Sequence, residues 1–215
     1  MRHHHLFGVV RRAAPGLALL LLTACSSSAP ARTVEPAGFI EPGQLVADER
    51  YPGALVHVVP GVSLAGYEAL LLEPVVPWIV AGKATDEEPE EPALLERFAA
   101  EFDALLRARL SERFKLAEAP GGAVVKLRVA VTEVARRIIV SRPAFRRGAA
   151  GVEWELLDPA GKRRFAGCAR RLGRRAASAL AGEPGHEDAR LIMEDWAHGL
   201  LDWLQQAGLP VRPGG

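Results

Sequence analysis

Apolar and polar positions along this chain follow two periods, and the change from one to the other divides it into strands and helices. Ala54 to Val59 is an apolar run that predicts a strand ended by Pro60-Gly61. Glu68 to Glu73 encloses a continuous apolar stretch before Pro74, the pattern of a central strand buried on both faces. Leu94, Phe98, Phe102, Leu106, Leu110 and Phe114 then recur in steps of four, Leu95 and Leu105 widen the stripe, and Glu96, Arg97, Glu101, Asp103 and Arg107 stand opposite. That period predicts a long amphipathic helix packed on a sheet. The acidic run Asp86 to Glu91 leads into it and suits the positive end of a helix dipole. Between Ala123 and Ala135 the period returns to two. Val125, Leu127, Val129 and Val131 point one way, and Lys126, Arg128, Ala130 and Thr132 the other, which predicts a strand with one wet face.

Val152, Trp154 and Leu156 alternate with Glu153 and Glu155, and the turn Asp158-Pro159-Ala160-Gly161-Lys162 returns the chain as a partner strand from about Arg163 to Leu172. Residues 151–172 therefore read as a hairpin. A last helix, from about Glu187 to Gln206, carries Ile192, Trp196, Leu200, Trp203, Leu204 and Ala207 on one side and stops at Gly208 and Pro210. The predicted order is β-β-α-β-β-β-α. It describes a two-layer α+β domain, a mixed sheet with two long helices on one face.

The pattern ahead of Phe39 is of another kind. Met1 to Arg12 carries Arg2, Arg11 and Arg12 with no acid, and Ala13 to Ala24 is apolar apart from Thr23. A basic segment followed by about a dozen apolar residues is a secretory signal, since a bilayer span needs about 20. Leu22-Thr23-Ala24-Cys25 closes that segment and resembles the bacterial lipobox. The resemblance implies cleavage before Cys25 and its modification with diacylglycerol and a palmitate-like chain, so the protein's first partner is a membrane. Ser26, where many inner-membrane lipoproteins have aspartate, implies the outer membrane, facing the periplasm. His3, His4 and His5 leave with the signal. On this reading residues 1–24 are the signal, 25–37 a flexible tether containing Ser26-Ser27-Ser28-Ala29-Pro30-Ala31, 38–208 one domain and 209–215 a disordered tail.

Composition supports a globular unit: 215 residues, 49% hydrophobic and 25% charged. Two cysteines exclude a disulfide-dense scaffold and a four-thiolate metal site, and lipidation of Cys25 leaves Cys168 alone, read as a small buried hydrophobe. The formal net charge of +1 conceals a division. Without residues 1–24 the chain has 24 basic and 26 acidic side chains; between Arg136 and Arg175 there are 12 basic residues against three acids, a net +9 beside −11 elsewhere. Arg136, Arg137, Arg142, Arg146, Arg147, Arg163, Arg164, Arg170 and Arg171 form the candidate interaction patch. Its expected partners are an acidic envelope protein, an anionic lipid or a lipopolysaccharide phosphate, and not nucleic acid. The other reading pairs Arg163, Arg164, Arg170 and Arg171 with Glu153, Glu155 and Asp158.

No G-x-S-x-G elbow, H-E-x-x-H helix, Walker loop or dinucleotide fingerprint occurs, so no catalytic, cofactor or metal residue is assigned. The expectation is a non-enzymatic interaction or envelope-assembly module. Two alternatives stay open. A hydrolase or glycan-processing enzyme would use His57 with a carboxylate in one pocket, and a carrier of a small apolar ligand would need a helix–sheet cavity of about 300 Å³. Glu194 and His198, four apart on the last helix, could share a cation or simply face solvent.

Several segments in order carry a family resemblance: Gly38-Phe39-Ile40 with Leu45; Pro60-Gly61-Val62 through Tyr67 to Leu71-Leu72-Glu73-Pro74-Val75 and Trp78; Leu127 to Val134; Val152 to Asp158 with Gly161; and Asp195-Trp196-Ala197. Together, across nearly all of residues 25–207, they resemble the bacterial lipoproteins of domain-of-unknown-function family 3313. The resemblance implies an envelope lipoprotein without an established activity. Arg136 to Arg147 departs from it, being short and basic where family members often carry a longer apolar stretch.

Overall fold

The computed structural model describes residues 34–41, 43, 45–51, 53–78, 92–139, 146–172 and 184–212, excepting the side chains at 135–139, 146–149, 172 and 184–189. Cys25, the signal, most of the tether, the acidic run Asp86 to Glu91 and Arg142 lie outside these residues.

The strands are β1 (Val46–Ala47), β2 (Ala54–Val58), β3 (Ala69–Leu72), β4 (Val76–Pro77), β5 (Val124–Ile139), β6 (Arg146–Leu157) and β7 (Arg163–Leu172). They form one seven-stranded mixed sheet in the order β1-β2-β7-β6-β5-β3, with β4 also on β5. β3 and β4 run parallel to β5 and the other pairs are antiparallel. Helix α1 (Pro92–Arg113) touches β4 and β5, α2 (Pro184–Gln206) touches β5 and β6, and the helices touch each other. The α+β, two-layer expectation holds, with β1 and β4 as short additions.

On the inner face Val125, Leu127, Val129 and Val131 of β5 meet Val152 and Leu156 of β6, with Phe165 and Ala169 of β7 and Ala54 and Val56 of β2 beyond, all buried. The step-of-four stripe of α1 closes over them: Leu94, Phe98, Phe102, Leu106, Leu110 and Phe114 are all buried. Pro92 opens α1, where its missing N–H is no loss, and the first turn contains no acid. The buried side of α2 is turned slightly from the predicted one, with Met193, Ala197 and Leu201 inside and Leu200 half-buried.

Three expectations are corrected. β3 is not central but last in the sheet; its outer side is covered because Leu70 donates to the Lys115 carbonyl and the Ala117 N–H to the Leu70 carbonyl, both at 2.9 Å. A continuous apolar run marks burial on both faces and cannot tell a central strand from an edge capped by another segment. The tail is not loose at its start: Leu209 is buried, Val211 bridges to Phe114, and the Arg212 N–H donates to the Arg113 carbonyl at 2.7 Å. The outer face of β5, expected to be wet, is so only in part: Lys126 and Arg128 are partly exposed there, but Ala130 is buried beside Glu153 of β6, as follows.

Candidate functional site

Glu153 and Glu155 point outward from β6, yet are only 1% and 4% exposed. Buried carboxylates require donors. Glu155 has Arg128 from β5 and, at 3.0 Å, Arg163 from β7, while Glu73 takes Lys126 at 3.0 Å and Arg128 at 3.4 Å, making one charge ladder across the sheet. Glu153 serves differently, accepting the backbone N–H of Ala37 and, at 2.9 Å, that of Ile40. Trp78 donates to the Ala37 carbonyl at 3.2 Å and meets Phe39 edge to face at 5.5 Å, Arg128 lies 5.0 Å from the centre of the Phe39 ring, and Arg163 donates to the Glu41 carbonyl at 3.2 Å. Residues 37–41 are thus strapped over the outer face, with Ile40 buried beneath. The apolar Gly38-Phe39-Ile40 was visible in the sequence, but its docking place was not.

The candidate patch divides in two. Arg163 engages Glu155; Arg164 engages Asp158 at 2.9 Å, whose other oxygen accepts the turn N–H groups of Ala160 and Lys162; Arg170 makes two bonds of 2.6 Å to Glu133; and Arg171 reaches Asp195 of α2 at 2.8 Å. All four therefore have carboxylate partners, two of them from outside the hairpin that the sequence suggested. A bulge between Val131 and Glu133 brings Glu133 to the outer face opposite Gly151, where a Cβ would come within 2.8 Å of the Thr132 hydroxyl. Arg136 and Arg137 lie on β5, and Arg146 and Arg147 on β6, where Ile138 pairs with Arg147 and Ile139 with Arg146. Among the described residues the β6–β7 register stops at Ala149↔Leu172, so these four stand beyond it on a two-stranded extension.

On the inner side a cleft lies between α2 and the sheet, lined by Trp154, Trp196, Trp203, Phe102, Phe165 and Tyr51 among others, three of the chain's four tryptophans being included. Phe165 stacks on Trp203 at 3.7 Å between ring centres, and Gly167 leaves room for Trp154, whose Cζ2 would lie 2.6 Å from a Cβ there. Asp48 lines the cleft; burial works to raise its pKa, but hydrogen bonds from the Arg50 guanidinium and backbone outweigh this and hold it below the usual carboxylate value. The Tyr51 phenol is raised, by burial first and then by Asp202. The cleft encloses about 40 Å³, far below the roughly 300 Å³ of a ligand carrier. A second hollow of about 380 Å³ lies among Pro120, Gly121, Gly122, Lys126, Pro159 and Gly161, away from the helix–sheet groove.

His57 stands half-buried on β2 opposite Ala166 and lines neither cavity. Glu194 meets Arg190 at 3.7 Å and His198 is exposed; among the described residues no group of three His, Cys, Asp or Glu could hold a metal ion. The Cys168 thiol, 2% exposed, is pushed up to about 12 by burial and then by Glu153, so it remains protonated at neutral pH. Among the described residues no helix is long and apolar enough to cross a membrane.

No curated protein matches the chain. Solved structures do. A PelC dodecamer from Paraburkholderia phytofirmans is 18% identical over 67% of this chain and 94% of its own, with a TM-score of 0.34. Protein XCC0632 from Xanthomonas campestris is 13% identical over 70% and 90%, at 0.43, and a minor lipoprotein from Acinetobacter baumannii 15% identical over 68% and 97%, at 0.37. The model of the family described as protein of unknown function (DUF3313) matches residues 35–200, most of the chain, and the chain belongs to that family.

Proposed function

We propose that this protein is exported, lipidated on Cys25 and held at the bacterial envelope, on the outer rather than the inner membrane, where its domain works as a non-enzymatic interaction module. The contact is made by the end of the β5–β6 extension bearing Arg136, Arg137, Arg146 and Arg147, with Arg142 between them in sequence. One observation supports this reading above others: from Glu133 to Glu153 the chain has five arginines and no intervening acid, whereas Arg163, Arg164, Arg170 and Arg171 are engaged by carboxylates. The chemistry that suits such an end is a phosphate-bearing surface, an anionic headgroup or lipopolysaccharide. Arginine forks match phosphate oxygens, and each basic residue near such a surface contributes about 1 kcal/mol. The hydrolase reading has less support, because His57 lines neither cavity.

The test is flotation of the protein with vesicles of phosphatidylcholine, alone or mixed with phosphatidylglycerol or lipopolysaccharide, with Arg136, Arg137, Arg146 and Arg147 exchanged for glutamate. Loss of retention on the anionic vesicles, with an unchanged circular dichroism spectrum, supports the reading. Equal retention of both forms overturns it, and crosslinking of both to an acidic envelope protein points to that partner instead. Release of Cys25→Ser from membranes into the soluble fraction tests the anchor separately.

A further inference from the structure

Among the described residues Trp78 is the only exposed aromatic side chain, at 38%, and Val76, two positions before it, is also open to solvent. The other large apolar side chains that are exposed, Val46, Val58, Leu191 and Val211, lie apart on β1, β2, α2 and the C-terminal segment. Val76 pairs with Ala130 of β5, and the Trp78 N–H continues that ladder by donating to the Val131 carbonyl at 2.9 Å, so both side chains stand on the outer side of the sheet. Phe39 of the strap, half-buried, meets the Trp78 ring edge to face and extends the patch. We infer that this edge of the domain, Val76, Trp78 and Phe39, lies in the headgroup layer of the membrane that carries Cys25. The inference rests on the anchoring proposed above and adds the apolar surface by which the domain meets the bilayer.

Where the anchored chain reaches the domain decides the occupant. Ala37 follows Cys25 by twelve residues, which span at most about 40 Å, and it is held by Trp78 itself, whose indole N–H donates to the Ala37 carbonyl at 3.2 Å. A lipid on Cys25 therefore keeps the bilayer within reach of this patch. Contact by so few side chains is weak for a free domain, but the anchor makes it an intramolecular event, in which a small apolar surface is enough. The neighbouring strand agrees. From Val131, beside Trp78, β5 runs on to Arg136, about 17 Å further at the usual rise, so the patch stands at the foot of the arginine end and the two can rest on one surface. The chemistry of the ring also suits the headgroup layer, where an indole places its apolar body beside the acyl chains. Its single donor is already taken by Ala37, so entry leaves no N–H unpaired.

The experiment takes the protein purified from membranes, reconstitutes it into vesicles of phosphatidylcholine brominated on the acyl carbons next to the headgroup, and reads tryptophan fluorescence. Bromine quenches only indoles close to it, and Trp154, Trp196 and Trp203, on the inner side against α2, serve as the unquenched reference. The expected result is quenching in the unaltered chain that is lost in Trp78→Phe, with Trp78 open to acrylamide in the soluble Cys25→Ser protein and shielded from it in the vesicles. Should Trp78→Phe fail to fold, the bromine and acrylamide measurements on chains that keep Trp78 still decide. Absence of bromine quenching, or equal quenching in Trp78→Phe, overturns the inference. So does shielding from acrylamide in the soluble Cys25→Ser protein, which means that a second copy covers the patch. Recovery of the unaltered protein in the soluble fraction overturns the inference together with the anchoring, whereas membrane-bound protein with an unquenched Trp78 overturns it alone. The vesicles carry no net charge, so the result is independent of the arginine contact.

Discussion

The two faces of the sheet are built from the same alternating strands and are held by opposite means. On the inner face Val129, Val152 and Phe165 meet Phe102 and Leu106 of α1 and Trp203 of α2 in one apolar core. On the outer face Glu153 and Glu155 are buried almost as completely, but under a strap and beside arginines. Alternation therefore reports the chemistry of each face and not its wetness. The inner face is stabilised in proportion to area removed from water, so it tolerates inexact geometry; the outer depends on each carboxylate finding its donors, so it fails locally when one is lost.

The largest expected effect lies on the inner face. Leu106→Ala, at a wholly buried position of α1 against the sheet, is expected to cost about 2–5 kcal/mol in urea unfolding, lost transfer energy and cavity together; a loss below about 1 kcal/mol would break the contrast. Glu153→Gln comes next. It keeps the shape but removes a charged acceptor from Ala37 and Ile40, with an expected cost of about 1–3 kcal/mol. Hydrogen exchange should quicken at those amides while those of β5 and β6 keep their protection; uniform quickening would mean that strap and core unfold as one unit. The smallest effect belongs to Arg170 and Glu133, partly exposed side chains joined by two hydrogen bonds. A double-mutant cycle to alanine should give a coupling of about 1 kcal/mol or less, weakened by salt, and a coupling that ignores salt would place the pair with the buried acids.

Much of this was legible in local patterns. The period of four in α1, the alternation of β5 and the hairpin turn at Asp158 each depend on neighbours a few residues apart, and each is found where it was expected. The ion partners were only half legible. Arg163 and Arg164 take acids of their own hairpin, whereas Arg170 and Arg171 reach Glu133 and Asp195, which the bulge in β5 and the seat of α2 bring near. The cleft left no trace, because Trp154, Trp196 and Trp203 come from a strand and a helix far apart in sequence and each reads as ordinary core.

By itself, then, the sequence determined the element types, the apolar side of each and the division of charge into a basic window and an acidic remainder, since these are sums over short stretches of chain. Only the tertiary structure decided that β3 lies at an edge, that the outer carboxylates are buried, that four arginines are engaged and that three tryptophans line one cleft. The physical reason is the same for all four. A side chain's type and period are local, but its solvation and its hydrogen-bond partner depend on which distant segment comes to lie against it.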